Sequence, residues 1–424
     1  MALAATTPAS HGDGHIDAPE LRVFVMALFF IFGGITSLND VIIPKLKELF
    51  TLNYTQAMLV QTAFFAAYAI IGIPGAALVK RVGYMRGAAI GLAIMMAGCL
   101  LFIPASGNAT FALFLLALFV LASGVTVVQV VANPLISLLG PAKTAPSRLT
   151  FAQAFNSLGT TIFPYVGAIV MLGTLAHEHA ADLSGAALDA YRVAATQAVV
   201  HSYLALAAAL AVVAAVVWAN RNRLKGEHHE QSAVLKSFDL LGRPRFGLGA
   251  LCIFVYVGAE VAIGSLIVNY MRQPHVLGLS EVSAGALIPL YWGGALIGRF
   301  AGSLVLRLVD PAKVLAFNAL GAITLIVLTT QSGGHVAAAS LLAIGLMNSI
   351  MFPTIFTLAS DGLGERAADG SGVLCVAIVG GAVIPPLTGT VADLTGSLQF
   401  ALAVPALCYA VIAGYGWFLR ARRG

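Results

Sequence analysis

The sequence predicts an all-α membrane protein in which twelve transmembrane helices form two pseudo-symmetric bundles of six. Of its 424 residues, 59% are hydrophobic and only 10% are charged, whereas a soluble domain carries about 25% charged residues. This excess of apolar side chains indicates that lipid is the solvent for most of the chain. Twelve apolar stretches give the helix count, and a repeat of glycine and proline positions gives the symmetry.

Each predicted helix has the length that a bilayer requires, because about 20 apolar residues cross the hydrocarbon core. The twelve stretches cover residues 22–44, 56–79, 86–104, 109–139, 149–175, 196–220, 246–272, 281–307, 312–330, 335–360, 370–392 and 398–420. The longest polar stretch, 220–245, separates six helices from six. The predicted segments are a cytoplasmic N-terminal tail (1–21), an N-terminal six-helix bundle (22–220), a cytoplasmic central loop (221–245), a C-terminal six-helix bundle (246–420) and a cytoplasmic tail (421–424).

The distribution of lysine and arginine predicts the orientation. Loops on the same side as both termini carry most of these residues, and the opposite side carries only Lys45, Lys47, Arg192 and Arg272. Because cytoplasmic loops hold an excess of basic residues, we expect both termini in the cytoplasm and the chain in the cell inner (plasma) membrane. The net charge of +5 lies in these loops, so it indicates topology and no nucleic-acid partner.

An internal repeat relates the two predicted bundles. The same spacing of glycine, proline and glycine occurs in the fifth stretch (Gly159, Pro164, Gly167) and in the eleventh (Gly381, Pro386, Gly389). Pro134 and Pro353 occupy corresponding places in the fourth and tenth stretches. Proline and glycine loosen or remove helical hydrogen bonds. Paired breaks in two halves are typical of a transporter whose binding site lies between them.

Asp40 and Glu260 lie well inside apolar stretches, where a charge is costly and usually marks an ion or substrate path. Asp40 follows Ser37 and Asn39 in the first stretch, and it can bind and release a proton. The alternative is a carboxylate at the outer interface, near Lys45. Glu260 lies about halfway along the seventh stretch.

Amide side chains are the second group of candidates. Gln129 and Asn133 are four residues apart and share a helix face, and Gln153 and Asn156 are three apart on the next helix. An amide both donates and accepts hydrogen bonds, which suits a sugar hydroxyl. The alternative is hydrogen bonding between helices. Asn348 in the tenth stretch is a further polar group that we expect to face the bundle interior.

The sequence predicts no enzyme, no metal site and no cofactor. Its glycine-rich runs lack the Lys-Ser/Thr ending of a phosphate-binding loop. The four cysteines lie inside apolar stretches without metal-ligand spacing, and we interpret them as small buried apolar residues. We interpret His228 and His229 as part of a solvated loop.

Twelve apolar stretches, a basic central loop and a short basic connection at 81–86 resemble the major facilitator superfamily. Five ordered motifs resemble more closely those of the fucose–proton symporter family and its relatives, the bacterial glucose/galactose transporters. The motifs are LND (38–40), ANP (132–134), QAFNS (153–157), YVGAE (256–260) and FPTIF (352–356). The resemblance implies the major facilitator fold, a hexose substrate and a co-transported cation. It also implies that Asp40 corresponds to the family's proton-linked aspartate, and that Gln153 and Asn156 correspond to its sugar-binding amides.

Three positions depart from the family pattern. Gln129 stands where the fucose symporters have a glutamate, and an amide cannot titrate. Ser37 replaces an asparagine associated with the fucose site, and Lys80 stands where an aspartate is common in the superfamily. The changes at Gln129 and Ser37 weaken fucose as the substrate and leave Asp40, with Glu260, to carry any coupling.

The resulting hypothesis is uptake of a monosaccharide by proton symport, with alternating access between the two halves. The chain is expected to act as a monomer in the bilayer. Asp40 and Glu260 are the predicted coupling residues. The predicted substrate-binding residues are Ser37, Asn39, Gln129, Asn133, Gln153, Asn156, Glu260 and Asn348. Sodium coupling, uncoupled diffusion and a non-transporting sugar sensor are the alternatives.

Overall fold

The computed structural model describes residues 20–49, 54–107, 111–172, 185–222 and 234–421. Inside these ranges the side chains of some helical segments, 38–49 and 54–61 among them, lie outside the description. The secondary structure of the described residues is helical throughout and contains no strand.

The first half consists of six long helices. They are α1 (Glu20–Leu49), α2 (Tyr54–Val82), α3 (Tyr84–Gly107), α4 (Phe111–Leu138), α5 (Ala145–Leu172) and α6 (Ala186–Ala219). A 3-10 helix, Val234–Gly242, precedes the second half.

The second half also contains six helical passages, but four of them are interrupted. Its helices are α7 (Pro244–Met271), α8 (Glu281–Gly285), α9 (Ile288–Leu308), α10 (Pro311–Gln331), α11 (Gly334–Asn348), α12 (Met351–Ser360), α13 (Ala367–Ala377), α14 (Gly380–Thr395), α15 (Leu398–Ala401) and α16 (Ala403–Ala421). One or two residues separate α8 from α9, α11 from α12, α13 from α14, and α15 from α16. Each of these pairs forms one passage, which confirms the predicted count of twelve.

Eight helical stretches of the described residues are long and apolar enough to cross a membrane, and two shorter apolar helices cover Leu21–Ser37 and Tyr203–Ala219. The described part of α5 and the helix α9 are not among these stretches. These two helices pack against each other between the halves, so their polar residues lie where they can be shielded from lipid.

Helix packing repeats between the halves and confirms two pseudo-symmetric bundles. In the first, α1 packs on α5, α2 and α3 pack on α4, and α3 packs on α6. In the second, α7 packs on α14, α9 and α10 pack on α11, and α10 packs on α16. The predicted segment boundaries stay predictions.

Close helix contacts explain part of the glycine repeat. Gly159 of α5 faces the carbonyl of Phe30 in α1, with no room for a Cβ atom. Gly380 of α14 makes the equivalent contact with the carbonyl of Phe254 in α7. The spacing repeat had matched Gly159 with Gly381, which instead faces Phe65 of α2. Spacing alone does not determine which neighbouring glycine faces the partner helix.

The proline repeat has different consequences in the two halves. Pro134 lies inside the continuous helix α4, whereas the chain is interrupted between α11 and α12, just before Pro353. The paired breaks that the sequence predicts in these two passages are therefore present only in the second half.

A buried ion pair joins the halves at the end of the bundle that carries Lys80, Arg307 and Arg366, which we call the basic end. The Lys80 Nζ atom lies 3.0 Å from Asp369 Oδ2, and the side chains are 7% and 2% exposed. Asp369 also accepts hydrogen bonds from Ser237 Oγ at 3.0 Å and Arg366 Nε at 3.3 Å. Lys80, the departure from the superfamily pattern, therefore links α2 to α13.

Arg366 extends this cluster to the loop between the halves. It donates to Asp239 Oδ1 at 2.6 Å, and this bond holds the pKa of the exposed Asp239 carboxyl below its usual value. A lowered carboxyl pKa means that the pair persists as the solution becomes acidic, until the pH falls through that lowered pKa.

We expect the Lys80–Asp369 pair to show strong energetic coupling. Lys80→Ala or Asp369→Ala should each lower the free energy of unfolding by about 3 kcal/mol, because each leaves a buried charge without its main partner. The double variant should lose much less than the sum of the two. Denaturant titration in detergent micelles measures all three values.

The control is Asp361→Asn, which alters the half-exposed pair with Arg245. Its cost should stay below about 1 kcal/mol, since solvent screens exposed pairs. Purely additive losses for Lys80 and Asp369 would contradict the proposed coupling.

Candidate functional site

Arg299 of α9 connects the two halves. Its guanidinium group donates to Ser157 Oγ and, at 3.4 Å, to the carbonyl of Gln153, both in α5. Its Nε atom donates to the carbonyl of Ser349 at 3.3 Å, between α11 and α12. This long side chain is therefore directed into the contact between the halves.

The interruption before Pro353 explains why Arg299 is needed there. Proline has no backbone N–H, and its ring crowds the carbonyl four residues earlier, which is that of Ser349. The helix resumes at once, with Thr354 N donating to the Ile350 carbonyl at 3.1 Å. Arg299 supplies a donor to the carbonyl that the proline leaves without one.

An aromatic cluster packs beside this arginine. The ring centroids of Phe151 and Phe155 in α5 are 5.4 Å apart, and Phe300 of α9 lies 5.9 Å from the first and 6.3 Å from the second. All three pairs have edge-to-face geometry. The aromatic stripe of α5 therefore contributes to the contact between α5 and α9.

Glu260 lies in a hydrogen-bonded group of the second half and is partly exposed. The Tyr256 hydroxyl lies 2.9 Å from Glu260 Oε1 and 3.1 Å from the carbonyl oxygen of Asn348. Tyr291 of α9 donates to the backbone carbonyl of Glu260 at 3.2 Å. Among the described residues, Arg299 is the basic side chain whose charge acts on the Glu260 carboxyl group.

Asn348 is fully buried, and both polar atoms of its amide have a hydrogen-bond partner. Its Nδ2 atom donates to the Tyr291 hydroxyl at 2.8 Å, and its Oδ1 atom accepts from the Tyr409 hydroxyl at 2.7 Å. The residue thus faces the bundle interior, as the sequence predicts, and its role in binding stays a prediction.

The amides of the first half have different environments. Gln129 Nε2 donates to the Tyr68 hydroxyl at 2.8 Å, and Asn156 Nδ2 donates to the carbonyl of Phe29 at 3.3 Å. Asn133 is fully buried, and neither amide atom has a partner among the described residues. This absence is unusual, since buried polar atoms normally form hydrogen bonds.

Three further predicted residues lie on α1. The Ser37 hydroxyl is buried and donates to the carbonyl of Gly34 at 2.8 Å, within the helix. Asn39 and Asp40 belong to the same helix, but their side chains lie outside the description. Because α1 packs on α5, the helix that carries Asp40 is adjacent to the helix that carries Gln153 and Asn156.

Four tyrosines of this region are not among the residues that the sequence predicts for the site. Tyr68, Tyr256, Tyr291 and Tyr409 provide hydroxyl partners for Gln129, Glu260 and Asn348. A signal existed for one of them, because Tyr256 precedes Glu260 by four residues and so shares its helix face. The others come from different helices, and only the tertiary fold brings them together.

Comparison with known proteins places the chain in a family. The model of the Major Facilitator Superfamily matches residues 25–386. A glucose/galactose transporter of Brucella abortus is 49% identical over 92% of this chain and 91% of its own length. An L-fucose-proton symporter of Escherichia coli is 33% identical over 93% of both chains.

A solved structure agrees with this placement. The crystal structure of FucP, a major facilitator transporter in the outward conformation, superposes with a TM-score of 0.85 and 32% identity over 94% of this chain and 98% of its own. The fold, the family model and the relatives all agree with the resemblance that the sequence motifs indicated. The chain is a multi-pass membrane transporter that belongs to the major facilitator superfamily.

Proposed function

We propose that the protein imports a hexose-type monosaccharide by proton symport, with alternating access between its two halves. The observation that carries the proposal is the 49% identity to a glucose/galactose transporter over nine-tenths of both chains. The second relative is a proton symporter by name. The polar groups of α5, α7 and α9, close to the contact between the halves, are where such a cargo would be bound.

Gln153 is the strongest candidate to bind the sugar in the first half. Its side-chain amide forms no hydrogen bond among the described residues, although its backbone carbonyl accepts from Arg299. Gln129, Asn133 and Asn156 are the further amide candidates, with Ser37 and Asn39 from α1. Amides and hydroxyls that both donate and accept can match several sugar hydroxyl patterns.

Asp40 and Glu260 are the proposed coupling residues. A neutral carboxyl group enters an occluded, water-poor cavity at lower cost than a carboxylate. Proton binding would therefore favour the occluded state with sugar bound. Proton release would favour the reopening of the empty carrier. Glu260 and Asn348, with the tyrosine hydroxyls that bond them, would also shape the cavity for the sugar.

The contacts between the halves support a conformation that is closed to the cytoplasm. Lys80–Asp369 and Arg299–Ser157 close the molecule from its centre to the basic end, and Ser147 Oγ donates to the carbonyl of Ser303 at 2.6 Å in the same contact. The proposed orientation places the basic end and both termini in the cytoplasm of the inner membrane. A single chain supplies both halves, so a monomer suffices.

The test of the proposal is uptake into proteoliposomes. Radiolabelled glucose, galactose, mannose and fucose are offered with a pH gradient and a sodium gradient imposed separately. Accumulation of a hexose driven by inward protons supports the proposal. Accumulation that requires sodium and stops when choline replaces it would assign a sodium symporter. No accumulation of any hexose by folded protein would overturn the substrate class.

Asp40→Asn should abolish proton-driven accumulation of sugar, because an amide cannot take up the coupled proton. Sugar counterflow, which needs no net proton movement, should remain. The matched control is Asp310→Asn. Asp310 caps α10 by accepting from Ala312 N and Lys313 N, and asparagine caps as well as aspartate, so transport should be unchanged. Wild-type accumulation by Asp40→Asn would refute its coupling role.

Gln153→Ala should raise the KM for sugar about tenfold, because it removes amide hydrogen bonds to the cargo while the turnover steps persist. KM and Vmax are measured by counterflow at saturating and limiting sugar. Gln331→Ala, at the exposed end of α10, is the control and should leave KM unchanged. An unaltered KM for Gln153→Ala would remove this amide from the binding site.

A further inference from the structure

The Tyr256 hydroxyl has two acceptors within reach and only one proton. Its oxygen lies 2.9 Å from Glu260 Oε1 and 3.1 Å from the carbonyl oxygen of Asn348. A phenol group carries a single O–H, so it can donate to one of these acceptors at a time. Its choice of acceptor depends on whether Glu260 carries a charge.

The two protonation states of Glu260 impose opposite arrangements. An ionised carboxylate is an acceptor only, and it attracts the hydroxyl proton more strongly than a neutral carbonyl does. A protonated Glu260 has its own O–H, which can donate to the Tyr256 oxygen. The Tyr256 proton is then free to form the bond to the Asn348 carbonyl.

The Asn348 carbonyl lies at the interruption between α11 and α12, beside the contact between the halves. Asn348 is the last residue of α11, and the next carbonyl, that of Ser349, is the one that Arg299 holds. Arg299 in turn bonds Ser157 and the Gln153 carbonyl in the other half. A hydrogen bond gained or lost at Asn348 is therefore one residue away from the contact between the halves.

We propose that Tyr256 is a positioning residue that transmits the protonation state of Glu260 to the interruption between α11 and α12, and through Arg299 to the contact with α5. The inference rests on the proposed function, in which Glu260 takes part in proton coupling. It adds a defined route by which that proton changes the contact between the halves. Tyr256 does not have to contact the sugar for this role.

Of the described groups around Glu260, Tyr256 is the one that lies within hydrogen-bond distance of both the Glu260 carboxyl group and the Asn348 carbonyl. Among the described residues, Arg299 and Tyr291 of α9 and Tyr409 of α16 also act on Glu260. Tyr291 donates to the backbone carbonyl of Glu260, and Tyr409 donates to the Asn348 side chain. Neither of these bonds involves the Glu260 carboxyl group. Their donors and acceptors therefore stay the same when Glu260 becomes protonated.

The test measures opening of the basic end without sugar. Lys143→Cys and Lys313→Cys, both exposed and in different halves, carry spin labels, while the four native cysteines are buried. The distance distribution between the labels is recorded from acidic to alkaline pH. In the otherwise wild-type protein, the closed-to-open ratio should change with pH by about fivefold, the factor expected for one net hydrogen bond.

Tyr256→Phe removes only the hydroxyl and should make this ratio nearly independent of pH. Glu260→Gln should hold the ratio at the acidic wild-type value at every pH, because its amide can donate to the Tyr256 oxygen as the protonated acid does. The matched control is Tyr270→Phe on the same helix, whose hydroxyl donates to the Thr329 carbonyl at 2.9 Å. This control should keep the wild-type pH dependence.

The possible results separate this inference from the proposed function. Three results would overturn the route through Tyr256. The wild type could show no pH dependence, Tyr256→Phe could retain the wild-type pH dependence, or the control Tyr270→Phe could lose it as well. If Tyr256→Phe does not fold, the Glu260→Gln result still decides, since a normal pH dependence there contradicts the inference. Proton-driven hexose uptake by the wild type is measured separately, and its absence would instead overturn the proposed function.

Discussion

The requirement that polar groups find partners inside the protein, where lipid offers none, organises the contact between the two halves. Pro353 leaves the Ser349 carbonyl without its helical donor, and Arg299 supplies one. The same guanidinium group bonds Ser157 across the interface. One unsatisfied carbonyl in the second half thus fixes the position of the arginine that holds the first half.

This kind of contact suits a molecule that must open and close. Lys80 and Asp369 are almost fully buried, and the cost of removing two charges from water offsets much of their attraction. Opening would return both groups to solvent, so the closed and open states can lie close in free energy. A purely apolar contact of the same size would favour the closed state more strongly.

The sequence was sufficient for the fold because hydropathy and length constrain a membrane chain so strongly. Twelve passages and their two-fold arrangement follow from apolar stretches and one polar loop. The glycine repeat was less informative, since Gly380 and not Gly381 makes the contact that Gly159 makes. Most side-chain partners could not be predicted from the sequence, because Tyr291 and Tyr409 approach Asn348 from helices far apart in the chain. Lys80 was recognised as a departure, but nothing in the sequence identified Asp369 as its partner.

The repeat also relates the two proposed coupling carboxylates. Phe30 of α1 and Phe254 of α7 make equivalent contacts with Gly159 and Gly380, so they serve as matching reference points. Asp40 comes ten residues after the first and Glu260 six residues after the second, a difference of four residues or about 6 Å along a helix. Since both helices begin at the basic end, Glu260 lies one turn closer to that end than Asp40. The two proposed proton sites thus lie at different depths in the bundle, and the one nearer the basic end, Glu260, is next to the arginine that joins the halves.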